Sequence, residues 1–136
     1  MKQVNQELIE KEFERAEDSL KASQKLLEEG LLADAISRAY YACLHSVKAA
    51  LLTQNITISS HKAVITMFGK HLVREGKIEK EYGIVLREEK EEREVGDYDV
   101  LEIFEIDRAR QRVSDAERFV GRINKFLKEI YLNLQG

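Results

Sequence analysis

Apolar or small residues recur at Ile9, Phe13, Ala16, Leu20, Ser23 and Leu27, alternately four and three apart, with charged residues between them. That spacing keeps one side of a 3.6-residue helix apolar and predicts an amphipathic helix over about residues 5 to 29. Gly30 follows directly, where a left-handed C-terminal cap forms most easily. The next pattern, about residues 32 to 54, is apolar on most sides, which marks a helix surrounded by others. "TQNITISS" breaks the periodicity, and Ser59 or Ser60 can cap a third helix from about His61 to Arg74, with Gly76 as its stop. A fourth helix, about Ile78 to Arg93, rests on Tyr82, Val85 and Leu86 and runs out into the eight charges "REEKEERE", read as a solvated helical end. "VGDYD" then carries a turn or loop signal. The last helix has the cleanest register, through Ile106, Ala109, Val113, Ala116, Val120, Ile123, Leu127 and Ile130. No segment reads as a strand, no repeat appears and no linker divides the chain. The expectation is an all-α fold, one antiparallel up-and-down bundle of four to five helices across residues 1–136.

Composition narrows the setting. Charged residues make up 35% of the 136, proline is absent, and Ala, Glu, Lys, Leu and Arg dominate, as long helices require. A net charge of −3 argues against a general nucleic-acid coat, although a local basic patch is compatible with it. The single cysteine, Cys43, sits among apolar neighbours and leaves neither a disulfide framework nor a zinc spacing. A reducing cytoplasmic setting is the simplest expectation. No apolar run is long enough for a membrane span, and the acidic start lacks the order of a signal peptide.

The helix that should be central is also the one with unexpected chemistry. Steps of three and four place Asp34, Arg38, Tyr41, His45 and Lys48 in one polar line, with Arg38 and His45 about 10.5 Å apart along the axis. A solvent face, with Asp34 and Arg38 as an i, i+4 ion pair, explains such a line structurally. Chemically, arginine is a planar fork suited to phosphate, histidine titrates near neutrality, and a tyrosine hydroxyl can hydrogen-bond both. His61 stands where a third helix begins, flanked by Ser60 and Lys62, and could contact phosphate or simply belong to a capping region. His71 reads as an ordinary surface histidine. The three histidines are far apart in sequence, and no metal site or cofactor is expected. The last helix carries Arg108, Arg112, Arg118, Arg122, Lys125 and Lys128 among acidic residues, a solvated face or a surface for an RNA backbone.

"SRAYYACLHSVKAALL", followed by "SSHKAVITMFGKHLV" and later by "GDYD" before a final long helix, resembles the HEPN domain family of small helical bundles, in particular its short stand-alone members. The resemblance runs from about residue 8 to 130 and implies the same all-helical fold. Many members are metal-independent ribonucleases, often toxins, with an arginine followed after four to six residues by a histidine. Arg38 and His45 match that motif with six residues between them. Other members work beside a small nucleotidyltransferase or are proposed to bind nucleotides. Ribonuclease members commonly carry a polar residue directly after the arginine, where this chain has Ala39. Asp97, Tyr98 and Asp99 match a recurrent family element that can position the final helix.

The resemblance thus leaves two functions open, an endoribonuclease using Arg38 and His45, or a nucleotide-binding or accessory subunit using the same stripe. Metal-free RNA cleavage needs a base for the 2′-hydroxyl, an acid for the leaving 5′-oxygen and positive charge at phosphorus. His45 cannot be base and acid at once, and the stripe holds no second histidine. A homodimer pairing two copies of Arg38 and His45 around one cleft, as the family's ribonucleases do, meets that need, with Tyr41, Lys48 and His61 as further RNA or nucleotide contacts.

Overall fold

The computed structural model describes the backbone of residues 2–98 and 105–135 and the side chains of residues 6–96 and 105–130. Five α-helices account for nearly all of it: α1 (Lys2–Glu28), α2 (Leu32–Leu52), α3 (His61–Phe68), α4 (Lys80–Tyr98) and α5 (Ile106–Gln135). The three residues after α1 turn the chain back, with Gly30 at φ 78° and its N–H bonded to the Leu27 carbonyl. Glycine suits this left-handed position because it has no Cβ to clash. Contacts of Glu12 with His45, of Gln24 with Glu117 and of Glu79 with Arg122 fix the helix directions. They make α1 antiparallel to both α2 and α5, and α4 antiparallel to α5, so the bundle runs up, down, up, down.

Helix α2 lies at the centre and packs against α1, α3, α4 and α5. Its buried residues include Ala35, Ile36, Ala39, Tyr40, Cys43, Leu44, Val47 and Leu51. Five alanines of α2 (35, 39, 42, 49 and 50) are fully buried, and small side chains let neighbouring axes approach closely. From α1, Ile9, Phe13 and Ala16 enter the core as the periodicity requires, and from α5 Val113, Ala116, Val120, Ile123 and Leu127 do. Ile106 departs from that register: it is exposed at the start of α5.

Two boundaries and one burial also differ from expectation. Ser60 caps α3 by accepting a hydrogen bond from the Ala63 N–H at 3.1 Å, but α3 ends at Phe68 and passes into one π-helical turn, Gly69–Val73. That turn closes with the Arg74 N–H on the Gly69 carbonyl at 2.8 Å, and Gly76 (φ 76°) ends it. Helix α4 continues through Gly96 to Tyr98, so most of the "VGDYD" turn signal is overridden by packing on α5; Asp99 lies outside the described residues. "REEKEERE" is not a uniformly solvated end either. Steps of three and four from Val85 and Leu86 carry Glu89 into the interior, where it is fully buried.

The basic residues of α5 are largely engaged within the fold. Arg122 donates to Glu79 at 2.7 Å, Arg108 pairs with Glu92 at 2.8 Å, and the buried Arg112 pairs with Asp115 at 2.9 Å. Among the described residues neither oxygen of Glu89 finds a hydrogen-bond partner, and nor does Nη1 of Arg112. Burial pushes the Glu89 carboxyl up to about 9, against the attraction of Arg112, and so keeps it a neutral acid at pH 7. Burial likewise raises the Cys43 thiol well above its ordinary range.

The Glu89 position makes stability fall with rising pH. Between about 4.5 and 9 the unfolded chain releases a proton that the folded chain keeps, a loss of about 1.4 kcal/mol per pH unit. Glu89→Gln should flatten that dependence and gain on the wild type as pH rises, read as the urea midpoint between pH 5 and 9.

Candidate functional site

The residues of α2 that escape full burial in its middle are those of the polar line. Arg38 is exposed, and Tyr41, His45 and Lys48 are half-buried. The expected Asp34–Arg38 pair does not form; both side chains stay exposed, and among the described residues Arg38 has no hydrogen-bond or ion-pair partner. A guanidinium on a helix with no carboxylate beside it can take up a planar anion.

Helix α1 contributes a residue that sequence spacing did not single out. Glu12 Oε2 lies 2.7 Å from His45 Nδ1. A carboxylate in that place holds the proton on Nδ1 and leaves Nε2 to accept or deliver one. The hydrogen bond to His45 and the charges of His45, Lys48 and Arg15 hold the Glu12 carboxyl below its ordinary range, outweighing its partial burial. Glu12 immediately precedes the inward-facing Phe13, so it flanks the α1–α2 seam; only the pairing of the two helices reveals what it touches.

On the other side of the stripe, α3 and α4 close in. Arg93 of α4 donates from Nη2 to the Tyr41 hydroxyl at 2.8 Å, and its guanidinium lies 5.3 Å from the Tyr41 ring centroid and 5.8 Å from that of Tyr40. The His61 ring meets Tyr41 edge-on at 5.7 Å and Tyr40 at 5.8 Å. The chain therefore brings His61 to the stripe, although it stands 13 positions beyond Lys48, the nearest member of the stripe in sequence. Burial, and then the positive charges of Arg93, Lys48, His45 and Lys90, lower the His61 pKa. Tyr40 itself is fully buried, its hydroxyl without a hydrogen-bond partner among the described residues, and burial raises its pKa to about 12.

Beside Glu12 and Lys48 lies an apolar hollow of about 300 Å³, walled by Leu8, Leu51, Leu52, Ile56 and Ile58 with Thr57 and Ser59 at its polar edge. His71 is set apart in the π-helical turn. Among the described residues no three His, Cys, Asp or Glu side chains form a metal-binding group, and no helix is long and apolar enough to cross a membrane.

One side of this small all-α bundle thus gathers an arginine without a partner among the described residues, a carboxylate-held histidine and a second imidazole set against two tyrosines. Residues 9–130 match the HEPN domain family, and the chain belongs to it. It is 44% identical over 124 residues to "Putative toxin MJ0605" of Methanocaldococcus jannaschii, covering 91% of this chain and 92% of that protein. Over 125 residues it is 32% identical to a "UPF0332 protein" of Thermotoga maritima, with 92% and 95% covered. "Putative toxin MJ0142" of the same Methanocaldococcus is 31% identical over 119 residues, with 88% and 81% covered.

The Glu12–His45 contact is open to direct measurement. The Glu12 carboxyl should titrate below 4.5 in the wild type and move back up in His45→Ala, followed by carboxyl-carbon NMR. Its contribution to stability should correspondingly be present above about pH 4.5 and be lost as pH falls through the depressed value.

Proposed function

We propose that this protein is a metal-independent endoribonuclease of toxin type. The observation that carries the reading is the Glu12–His45 pair at 2.7 Å on the same stripe as the unpartnered Arg38. Arg38 would hold the scissile phosphate through its planar fork, and Lys48 would add positive charge where the five-coordinate phosphorus develops. His45, held by Glu12, would exchange a proton through Nε2, and Tyr41, tied to Arg93, would keep the phosphate side of the stripe in place. The products would be a 2′,3′-cyclic phosphate and a 5′-hydroxyl. The toxin names of the two Methanocaldococcus jannaschii relatives support the toxin assignment. A homodimer is part of the proposal, and the apolar hollow beside Glu12 and Lys48 supports a covered surface next to the site.

A second reading is favoured by one specific observation. Ala39, where ribonuclease members commonly carry a polar group, is fully buried and brings nothing to the stripe. On that reading the protein binds a nucleotide without cleaving, as an accessory subunit of a small nucleotidyltransferase.

End-labelled total RNA incubated with the purified protein in excess EDTA separates the two. The first reading expects cyclic-phosphate ends from the wild type and a loss of at least about 100-fold in Arg38→Ala and His45→Ala. A folded wild type that binds nucleotide but leaves RNA intact establishes the second.

A further inference from the structure

A histidine that opens a helix reads most simply as a phosphate contact, but the surroundings of His61 suit it poorly to that task. Burial, followed by the positive charges of Arg93, Lys48, His45 and Lys90, lowers its pKa below the ordinary 6.5, so at neutral pH the ring is uncharged. An uncharged imidazole attracts a phosphate only weakly, and what it offers a ligand is a flat aromatic face.

That face belongs to a group of rings. His61 stands 5.7 Å from Tyr41 at 77° and 5.8 Å from Tyr40 at 63°. Rings so inclined form a corner, and neither lies flat over the other. Tyr40 is fully buried and anchors the corner in the core. Arg93 fixes Tyr41, donating to its hydroxyl at 2.8 Å with the guanidinium 5.3 Å from the ring centroid. His61 and Tyr41 are only half-buried, so the corner keeps an accessible surface. It is set before any ligand arrives, which spares the ligand the cost of ordering it.

The corner also lies close to the phosphate site. Arg38 precedes Tyr41 by three residues, about 4.5 Å along the helix axis. Lys48 of α2 and Lys90 of α4, the latter also meeting Glu94 at 3.3 Å, both act on the His61 ring. Proteins that hold single-stranded nucleic acid combine these two features, cations for the backbone and aromatic faces for the bases.

We propose that His61 and Tyr41 form a stacking platform for one nucleobase of the RNA strand, next to the phosphate that Arg38 holds. The proposal rests on the ribonuclease reading for that phosphate and deepens it, because a base on the platform is unpaired and the substrate is single-stranded there. It makes His61 a binding residue and leaves both proton transfers to the two copies of His45 in the homodimer. Stacking uses the π face that every base has, so recognition at this platform tolerates sequence.

A short single-stranded RNA with 2′-O-methyl sugars, which lack the attacking hydroxyl, tests the contact without being cleaved. It carries 2-aminopurine at an internal position, whose fluorescence is quenched by stacking. The wild type should quench it, and so should His61→Phe, which keeps a ring face. His61→Leu, which has bulk but no π face, should lose the quenching and bind about 5- to 100-fold more weakly. Arg38→Ala should also bind more weakly yet still quench at saturation, which separates the phosphate contact from the base contact. Urea midpoints establish that each variant is folded, and should His61→Leu fail to fold, His61→Gln is judged by the same two readouts. Wild-type binding and quenching in a folded variant without a ring at 61 overturns the platform and leaves the ribonuclease reading standing. Quenching by a wild type that cleaves no RNA supports the platform and removes the ribonuclease reading instead. Quenching of 2-aminopurine riboside monophosphate, with none of the oligomer, assigns the corner to a free nucleotide and overturns its role in holding RNA.

Discussion

Close packing of α2 on nearly every side is the constraint from which the rest of this structure follows. Alanines at 39, 42, 49 and 50 let the surrounding helices approach, and Tyr40, Leu44, Val47 and Leu51 fill the space that remains. A helix so enclosed has only a narrow strip left for polar groups. Charges set elsewhere on it would be desolvated without partners, at a cost of several kcal/mol each. Arg38, Tyr41, His45 and Lys48 therefore share one line, and the neighbours that reach the line decide its chemistry.

Those neighbours come from three different helices. Glu12 of α1 orients His45, Arg93 of α4 holds Tyr41, and His61 of α3 leans on both tyrosines. Each of the three elements packs on α2, so the site is rigid for the same reason that the core is. The basic residues of α5 show the converse. Arg108, Arg112 and Arg122 join Glu92, Asp115 and Glu79, which draws them into the bundle's own cohesion. Glu89 is the polar group the packing accommodates least well. It occupies an inward position of α4, where burial suppresses its charge and neither oxygen is hydrogen-bonded to another described residue.

Local pattern and tertiary contact divided the determination of this protein between them. The helices of the bundle, the central place of α2, the glycine turns at 30 and 76, the Ser60 cap and the polar stripe were all legible from spacing, because each depends on residues within a turn or two of one another. Where that logic met long-range packing it gave way: α4 runs on through Gly96, Glu89 is buried among apolar residues, and Ile106 is left outside. The partners of the stripe had no local signature at all. Glu12 and His45 are 33 residues apart and Tyr41 and Arg93 are 52 apart, and such pairs exist only once the helices are laid side by side. By itself the sequence determined which face of which helix stays polar, since helical periodicity is a local property. Only the tertiary structure decided what that face touches, since contact between helices depends on their packing directions and on the side chains that fill the space between them.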